Sequence, residues 1–371
     1  MKVSVIVPLY RGQAYLDQLI KQIEKCAMEV PEHEVELILY NDYPGDKIFV
    51  EQNEILSEIR CINPGVNRGI HGARVEGLRN VTGEYVLFLD QDDKIQSTYI
   101  SSQLKCIGDA DAVVCRAVHA GKMHYNRSHV FENVVSKEFM TKKWCSIVSP
   151  GQVLIKRTSI PQIWKENILS INGADDYFLW LLMFSENKKF ALNQEVLFEH
   201  VINGENTSED VNKMMDSESQ MIDILKKKSI FCENGIDILD DLKESLRRIH
   251  IKELSNCKKG YVFLRKWMEK VARGINPCSF FNEKNLKTIA IYGAGDIGRC
   301  IDVALSQSDI FVSYFIDYNA EYIKCDKKVY TLEDNPNTAE AVVLSLNDEV
   351  LRKKVEEVLK VPVYLYTDIW I

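Results

Sequence analysis

The stretch Tyr85–Asp93 constrains the fold most strongly, because an unbroken apolar run leads directly into a cluster of carboxylates. The run Val86–Leu89 follows a Thr-Gly-Glu turn signal and contains no polar residue. Such a run is typical of a strand that is buried on both faces of a parallel sheet. Asp90, Asp92 and Asp93 would then emerge at the carboxyl end of that strand, where open α/β sheets bind their ligands.

Asp90 and Asp92 are spaced so that both can bind one hard divalent cation. Mg²⁺ and Mn²⁺ prefer a few carboxylates together with the oxygens of a substrate phosphate. The spacing therefore indicates a metal–diphosphate site. The alternative is an acidic turn that merely follows a strand, because so short a motif often occurs by accident.

The size and composition of the chain narrow the class of protein. A chain of 371 residues is long enough for two or three domains, and its formal net charge of −8 argues against nucleic-acid binding. Its ten cysteines show neither a Cys-x-x-Cys pair nor metal-ligand spacing, which suits a reducing compartment. No apolar stretch approaches the ~18 residues that indicate a membrane span. We therefore expect a cytoplasmic protein that is at most attached peripherally to the inner face of the plasma membrane.

Strands and helices alternate along the first part of the chain. Val3–Leu9 and Val35–Tyr40 are predicted strands, and Ile62 marks a short third strand. Tyr15–Ile23 and Ile70–Leu78 show the helical spacing of apolar residues. This alternation predicts an α/β fold with a parallel, doubly wound sheet.

Polar side chains near the ends of these strands are candidates for nucleotide contacts. Asp42 follows the second strand, and its carboxylate could accept the ring N–H of a uracil; a turn cap is the alternative. Arg68 and Arg74 lie between that strand and the acidic one, and they could contact a base or a phosphate. Their alternative is a solvated helix face.

Several of these motifs follow one another in a specific order. They are Val-Ser-Val-Ile-Val-Pro-Leu-Tyr at 3–10, Asn-Asp at 41–42, Asn-Arg-Gly with Ala-Arg and Gly at 67–77, and Thr-Gly-Glu-Tyr-Val-Leu-Phe-Leu-Asp-Gln-Asp-Asp at 82–93. Together they resemble a family 2 glycosyltransferase of the GT-A fold, over residues 1–210. The resemblance implies a nucleotide-sugar donor, Mg²⁺ or Mn²⁺ on the Asp-x-Asp motif, and inversion at the anomeric carbon. It implies donor contacts at Pro8, Tyr10, Asp42, Asn67, Arg74, Asp90 and Gln91, and metal ligands at Asp90, Asp92 and His200.

The resemblance also indicates where an acceptor hydroxyl would lose its proton. In the family an acidic pair opens a helix at the position of Asp175 and Asp176, and its second acid is the usual base. A carboxylate is needed there because a hydroxyl is a poor nucleophile until its proton is removed. Asp176 is the predicted base and Asp175 a supporting or acceptor-binding group; the alternative is a pair of acids that only stabilises a helix start. The acceptor side is predicted to include Gly151, Gln152 and Trp180.

Some positions depart from the family pattern. Arg11 stands where an Asn is usual, and Asn41-Asp42-Tyr43-Pro44 replaces an Asp-Asp-Gly-Ser turn. Asp42 is retained, so we expect nucleotide binding to persist with altered geometry beside it.

His200 or Asn203 would take the place of a family His that reaches the metal or diphosphate, and a structural role for His200 is the alternative. The remaining histidines of the domain's loop region, His119, His124 and His129, are predicted to be surface residues.

Residues 211–371 are predicted to form two further parts. Residues 211–285 should be a helical linker or packing region, in which Lys258, Lys259, Arg265 and Lys266 interleave with aromatic residues. This stretch could contact an anionic membrane, or it is an ordinary basic helix face. Residues 286–371 should be a small Rossmann-like domain, because a strand, a G-x-G-x-x-G turn and a helix follow one another. The candidate nucleotide contacts in that domain are Gly293, Gly295, Gly298 and Asp317.

The sequence thus predicts a metal-dependent glycosyltransferase. It would move a sugar from a UDP-sugar to a hydroxyl of a glycan or lipid-linked acceptor, in bacterial surface polysaccharide synthesis. A sugar nucleotidyltransferase is one rival, but Leu9-Tyr10-Arg11-Gly12 is not the Gly-rich phosphate loop that it would need. A non-catalytic nucleotide-sugar-binding or scaffold protein is the other rival. A homodimer is compatible with each of these functions.

Overall fold

The computed structural model describes residues 1–119, 121–125, 130–202, 210–233, 236–273, 278–306, 308–323 and 325–370. Tertiary contacts divide the chain into two units, which are residues 1–254 (unit 1) and 255–371 (unit 2). His129 and Asn203 lie outside the described residues, and so do the side chains of Lys258, Lys259 and Lys266.

The first half of the sheet in unit 1 is parallel. Its elements are β1 (Lys2–Leu9), α1 (Leu16–Met28), β2 (Glu34–Asn41), β3 (Glu58–Ile62), α2 (Gly69–Leu78) and β4 (Tyr85–Phe88). The strands pair in the order β3-β2-β1-β4, which confirms the prediction for this half of the sheet. β1, β2 and β4 are apolar and almost wholly buried, as strands of a parallel sheet are. Because all of them run the same way, their carboxyl ends meet at one edge.

A buried carboxylate fixes the turn ahead of the acidic residues. Glu36, in the middle of β2, accepts hydrogen bonds from Ser4 Oγ at 2.6 Å and from Thr82 N at 2.7 Å. Burial opposes its ionisation, but Lys2 and these donors outweigh burial and lower the pKa of Glu36 to about 2. Gly83 is required in this turn, because a Cβ there would lie 2.3 Å from Ser4 Oγ. The start of β4 is thereby tied to β1 and β2.

The second half of the same sheet is mixed, and here the prediction of a parallel, doubly wound sheet is wrong. Its elements are β5 (Lys94–Ile95), α3 (Tyr99–Ile107), β6 (Ala112–His119), β7 (Lys122–Met123), α4 (Lys137–Lys142), β8 (Val153–Lys156), α5 (Gln162–Glu166), α6 (Asp175–Ser185) and β9 (Phe190–His200). β8 is antiparallel to both β4 and β6, whereas β6 and β9 are parallel. A parallel neighbour needs a crossover of about a dozen residues, and β5 follows β4 too closely for one. β5 pairs instead with β9, in antiparallel fashion.

Two long helices follow this sheet in the chain. They are α7 (Val211–Lys227) and α8 (Ile238–Ala272), and a short antiparallel strand pair, β10 (Cys232–Glu233) and β11 (Ile236–Asp237), lies between them. The apolar face of α7 is buried in the core of unit 1. No helix in the described ranges combines the length and the apolar character that would let it cross a membrane. Short 3₁₀ helices lie at Gly12–Tyr15, Phe131–Val135, Pro150–Gln152, Arg157–Ser159, Ala320–Tyr322 and Asp368–Trp370.

Unit 2 contains a second, fully parallel sheet. Its elements are α9 (Cys278–Glu283), β12 (Thr288–Tyr292), α10 (Asp296–Leu305), β13 (Phe311–Ile316), β14 (Val329–Tyr330), β15 (Ala341–Leu344), α11 (Glu349–Leu359) and β16 (Val363–Leu365). The strand order β14-β13-β12-β15-β16 is Rossmann-like, because the order reverses beside the first strand. The structure therefore agrees with the predicted C-terminal α/β unit.

Candidate active site

A cleft of about 470 Å³ is lined by the residues that follow β1, β2 and β4 and by the first residues of α6. This volume lies in the range of small-molecule sites. The cleft brings together residues from widely separated parts of the chain. Arg68 does not line the cleft, but the other donor, metal and base candidates of unit 1 that fall on described residues do: Pro8, Tyr10, Asp42, Asn67, Arg74, Asp90, Gln91, Asp92, Asp175, Asp176 and His200.

The ends of β1 and β4 are joined by a side-chain amide. Gln91 Oε1 accepts a hydrogen bond from Tyr10 N at 3.0 Å, and Gln91 Nε2 donates to Tyr10 O at 3.2 Å. Gly12 is needed beside this contact, because a Cβ there would lie 2.7 Å from Gln91 Oε1. The acidic turn is thereby held in register with the loop after β1.

Asp42 lies at the end of β2 and is buried. Its Oδ1 accepts a hydrogen bond from Arg68 N at 2.6 Å, so the carboxylate also organises the loop that leads into α2. Burial raises the pKa of Asp42, and the N–H groups of Arg68 and Gly69 counteract that rise only in part. The carboxylate can therefore combine the turn-capping role with contact to a ligand in the cleft.

The two departures from the family pattern meet in one aromatic cluster. Arg11 adopts the left-handed conformation with φ 53°, and its guanidinium lies 5.7 Å from the Tyr10 ring and 5.2 Å from the Tyr43 ring. The two rings contact each other edge to face at 5.3 Å. A cation over two aromatic faces stabilises this loop pair by about 1 kcal/mol or more.

Arg74 is the central cation of the cleft. Its guanidinium is buried and binds Asp90 Oδ1 at 2.5 Å and Asp175 Oδ2 at 2.6 Å. Burial opposes the charge, but the carboxylates of Asp175 and Asp90 outweigh burial and raise the pKa of Arg74. The alternative of a solvated helix face is therefore wrong for this residue. Arg74 joins the acidic turn after β4 to the acidic start of α6.

Asp93 was not among the predicted site residues, although it organises one side of the cleft. Its buried carboxylate accepts hydrogen bonds from His200 Nδ1 at 2.8 Å, Val201 N at 3.1 Å and Ser149 Oγ at 3.0 Å. Burial lowers the pKa of His200, but the bond to Asp93 outweighs burial and raises it. A third acid in one turn, together with a His at the end of another predicted strand, is the sequence signal that could have identified this pair.

The residues around Asp92 fit a hard divalent cation only in part. Burial raises the pKa of Asp92 to about 6, and the neighbouring charges of Asp93 and Asp90 add to the rise. A cation would relieve this crowding of negative charge. Among the described residues, however, no group of three or more His, Cys, Asp or Glu side chains is arranged to hold a metal. The residues therefore fit Mg²⁺ or Mn²⁺ if phosphate oxygens of a ligand complete the coordination shell.

Asp176 opens α6 and faces the same cleft. Its Oδ1 accepts a hydrogen bond from Tyr177 N at 2.6 Å. Burial and the adjacent charge of Asp175 raise the pKa of Asp176 to about 7, although Arg74 opposes the rise. A carboxyl group that is half ionised near neutral pH is suited to accept a proton.

The three predicted acceptor residues do not line the cleft. Gln152 is fully buried, and its amide donates to Cys115 O and Tyr125 Oη, both at 2.6 Å. Trp180 is fully buried, and a Cβ on Gly151 would lie 2.6 Å from the Phe198 ring. The prediction that these residues contact an acceptor is therefore not met, because their side chains are enclosed by protein. Gly151 and Gln152 instead hold their neighbour Ser149: Gly151 N donates to Ser149 Oγ at 3.3 Å, and Gln152 N donates to Ser149 O at 3.1 Å. Ser149 and Pro150 do line the cleft.

His119 also differs from the prediction of a surface residue. Its ring is half-buried and stacks on the ring of His200, with centroids 5.2 Å apart and planes 14° apart. His124 lies 5.7 Å from His119, edge to face. His119 and His124 therefore extend the aromatic contacts around His200.

In unit 2 the Gly-rich turn between β12 and α10 is held by the carboxylate of Asp317. Asp317 Oδ2 accepts a hydrogen bond from Ala294 N and Asp317 Oδ1 accepts one from Asn319 N, each at 3.0 Å. Gly293 has φ +101°, and a Cβ on Gly298 would lie 2.0 Å from Gly293 O. The glycines thus allow the close packing of β12 against α10 that a Rossmann-like turn requires, and Asp317 stabilises that turn.

Comparison with known proteins agrees with this geometry. Residues 4–164 match the family described as Glycosyl transferase family 2. An uncharacterized glycosyltransferase of Haemophilus influenzae is 26% identical over 53% of this chain and 76% of that protein. The GalNAc(5)-diNAcBac-PP-undecaprenol beta-1,3-glucosyltransferase of Campylobacter jejuni is 28% identical over 51% of this chain and 54% of its own length. The UDP-Glc:alpha-D-GlcNAc-diphosphoundecaprenol beta-1,3-glucosyltransferase of Escherichia coli is 27% identical over 50% of this chain and 72% of its own length.

Other relatives are longer: the chain spans 35% of an uncharacterized glycosyltransferase of Rickettsia felis, with 26% identity. Among solved structures, Staphylococcus aureus TarS 1–349 in complex with UDP-GlcNAc is 16% identical over 61% of this chain and 66% of that chain, with a TM-score of 0.45. That score is too low to transfer a ligand or a residue role. The family match and the described sheet together show that this chain carries a family 2 glycosyltransferase domain of the GT-A fold.

Proposed function

We propose that the chain transfers a sugar from a UDP-sugar donor to a hydroxyl of a glycan or lipid-linked acceptor, with inversion at the anomeric carbon. The observation that carries this proposal is the position of Asp176, which lines the same cleft as Asp90 and Asp92 and has a pKa raised to about 7. The C. jejuni and E. coli relatives are named as glucosyltransferases of undecaprenol-linked substrates, and the E. coli name includes UDP-Glc. These names support a role in bacterial surface polysaccharide synthesis.

The donor half of the cleft would hold the nucleotide through side chains that are already fixed. Asp42 would accept the ring N–H of uracil, and Tyr10, held by Gln91, would lie beside the nucleotide. Asp92, with Asp90 next to it, would hold Mg²⁺ or Mn²⁺ together with oxygens of the diphosphate. A bound cation there would neutralise charge on the departing UDP.

The acceptor hydroxyl would react beside Asp176. Its oxygen forms the new bond to the anomeric carbon while the bond from that carbon to the diphosphate oxygen breaks. The electron pair of the broken bond leaves with UDP, and the hydroxyl proton moves to Asp176. Because one displacement occurs from the face opposite the diphosphate, the configuration inverts.

Arg74 would favour the ionised form of the base, Asp176, during this step. It binds one carboxylate on the donor side, Asp90, and one beside the base, Asp175. By neutralising Asp175, Arg74 limits the rise in the pKa of Asp176, so that the base is substantially ionised at neutral pH. Arg74 therefore links the donor half of the cleft to the base without contacting the reacting atoms.

The test measures UDP release from a panel of UDP-sugars, with and without Mn²⁺, for the wild type and single variants. Asp176→Asn should lower turnover by about a thousandfold, because the amide cannot accept the proton, and it should leave UDP affinity unchanged. Asp92→Asn should abolish the Mn²⁺-dependent gain in UDP affinity, measured by calorimetry. Asp109→Asn, at an exposed carboxylate outside the cleft, is the matched control and should behave as wild type.

Each result has a defined meaning for the proposal. Full turnover by Asp176→Asn would exclude this residue as the base. UDP binding without UDP release from any donor would favour a non-catalytic nucleotide-sugar-binding protein. A pH profile adds an independent check: kcat/KM should rise with pH and level off above about 7, because Asp176 must be ionised to act.

A further inference from the structure

Helix α7 contributes to the cleft, although it lies beyond the residues that match the family model. That match ends at residue 164, whereas α7 comprises Val211–Lys227. Met214, in the first turn of α7, lines the cleft together with Asp176. Its neighbour Met215 instead lines a separate groove with residues of α8. The two adjacent methionines of α7 therefore line different surfaces, Met214 the cleft and Met215 the groove beside α8.

Two polar side chains of α7 fasten the loop that leads into Asp175 and Asp176. Ser217 is fully buried; its Oγ donates to Ile171 O at 2.8 Å and accepts from Ala174 N at 3.0 Å. Gln220 Oε1 accepts from Ser170 N at 3.1 Å and from Ile171 N at 3.3 Å. The loop before the base therefore takes its position from α7.

The same loop meets the donor side of the cleft. Asn172 Oδ1 accepts a hydrogen bond from Ile70 N at 3.1 Å, at the start of α2. The loop is thus held from two directions, by α2 and by α7. A substitution on α7 can therefore alter the position of Asp176 without altering the acidic turn after β4.

Met214 occupies the space beside Gly173. A Cβ built on Gly173, whose φ is +142°, would lie 2.6 Å from Met214 Sδ. Both residues line the cleft, and Gly173 is only three positions before Asp176. The thioether of Met214 therefore lies beside the loop that leads to Asp176, within the cleft that an acceptor would enter.

We propose, on the basis of the function proposed above, that α7 forms the acceptor subsite: Met214 contacts the acceptor, and Ser217 is a positioning residue for the base loop. The cleft also has apolar lining, since Ile70, Val148 and Pro150 contribute to it. A thioether in such a cleft suits the C–H face of a pyranose ring, because sulfur is polarizable and the side chain adapts to irregular shapes. The proposed acceptor is therefore a sugar, with one C–H face of its ring packed against the Met214 side chain.

The first test compares Met214→Ala with Met215→Ala. UDP release is measured in water alone and with p-nitrophenyl α- and β-glycosides of glucose, galactose and N-acetylglucosamine. The kinetics then use the glycoside that raises release most. Met214→Ala should raise the KM for that glycoside about tenfold and leave the affinity for UDP within about twofold, because only acceptor contact is lost. Met215→Ala, in the separate groove, is the matched control and should change neither value nor the rate of UDP release in water.

A second measurement does not depend on turnover. The chain, which has nine methionines, is labelled with [methyl-¹³C]methionine, and Met214→Leu assigns the Met214 signal. In the presence of UDP, addition of the glycoside should shift the Met214 signal and leave that of Met215 in place. An unshifted Met214 signal, or a wild-type KM in Met214→Ala, would overturn the proposed contact.

Ser217 is tested by separating kcat from KM. Ser217→Ala should lower kcat about tenfold and shift the pH midpoint of kcat, with the glycoside KM within about twofold, because the base loop loses two hydrogen bonds. Ser217→Thr, which keeps the hydroxyl, should recover most of the rate, and Ser219→Ala should match wild type. A wild-type kcat in a folded Ser217→Ala would overturn the positioning role. Failure of the proposed function would look different, since the wild type itself would release no UDP from any donor.

Discussion

The two units of this protein place an acid at the same kind of position and use it in different ways. In unit 1, Asp42 and Asp90 follow parallel strands and line an open cleft. In unit 2, Asp317 also follows a parallel strand, but both of its oxygens accept hydrogen bonds from backbone N–H groups of nearby turns. The acids of unit 1 hold neighbouring groups and still line a cleft that a ligand can enter, whereas both oxygens of Asp317 are used within the fold.

This difference appears in the pKa values of the cleft. The pKa of Asp92 is raised to about 6 and that of Asp176 to about 7, since burial and neighbouring carboxylates disfavour their ionisation. Carboxylates that are placed for stability generally have lowered pKa values, as Glu36 does at about 2. The acids of the cleft are thus held where ionisation costs free energy, which is a feature of functional sites.

The largest expected effect on stability comes from removing the cation that holds the cleft together. Arg74→Met should lower the free energy of unfolding of unit 1 by about 3–5 kcal/mol, because it leaves Asp90 and Asp175 without their buried partner. Urea unfolding would be followed by tryptophan fluorescence in a Trp267→Phe, Trp370→Phe background, so that only unit 1 reports. Arg79→Met, at a largely exposed arginine just after α2, is the control and should cost less than 1 kcal/mol. If Arg74→Met loses no more stability than Arg79→Met, the ion pairs of Arg74 contribute little to the free energy of unfolding.

A smaller loss is expected in unit 2. Asp317→Ala should destabilise the Gly-rich turn by about 2 kcal/mol, because the N–H groups of Ala294 and Asn319 lose their acceptor. Hydrogen–deuterium exchange of peptides covering β12 and the start of α10 would measure the change. Asp296→Ala, at an exposed acid in the first turn of α10, is the matched control. UDP affinity should remain that of the wild type, and a loss of it would contradict the structural role assigned to Asp317.

The sequence predicted the part of the site that follows from local pattern. An apolar run ending in acids placed Asp42, Asp90 and Asp92 at one sheet edge, because parallel strands share the direction in which they end. The ion pairs of Arg74 and the enclosure of Gln152 could not be predicted from the sequence, for a different reason. Whether a polar side chain faces a cleft or is enclosed depends on partners far away in sequence, such as Asp175 for Arg74 and Tyr125 for Gln152.

Met214 and Ser217 show the same limit more sharply. The sequence predicted only a helical linker or packing region over residues 211–285, with no acceptor contact on α7. The contact between Met214 and Gly173 and the two bonds of Ser217 depend on how α7 meets the loop before α6. No local pattern in either segment predicts how the two segments pack together, so the acceptor subsite proposed here could be inferred only from the folded chain.

The smallest expected effect is a gain in stability, and it tests the contrast between the acids of the two units most directly. If ionisation of the cleft acids costs free energy, removing Asp176 should raise the free energy of unfolding of unit 1. The pKa of Asp176 is about 7 in the folded chain and about 3.8 in the unfolded chain. Between these values the folded state binds more protons, so the free energy of unfolding falls as pH rises from about 4 to 7. Asp176→Asn abolishes that loss. At pH 8 the variant should be about 1–2 kcal/mol more stable than the wild type, a value reduced from the full shift because cleft water screens the charge.

The gain of Asp176→Asn should shrink as the pH falls below about 7 and disappear at about pH 3, where the wild-type carboxyl is largely protonated in both states. Urea unfolding at several pH values in the presence of EDTA measures this without interference from bound cations. Asp109→Asn, at an exposed carboxylate, should show no such pH-dependent gain. If Asp176→Asn is less stable than the wild type at pH 8, then Asp176 serves the fold as Asp317 does. The contrast between the two units would then not extend to the base.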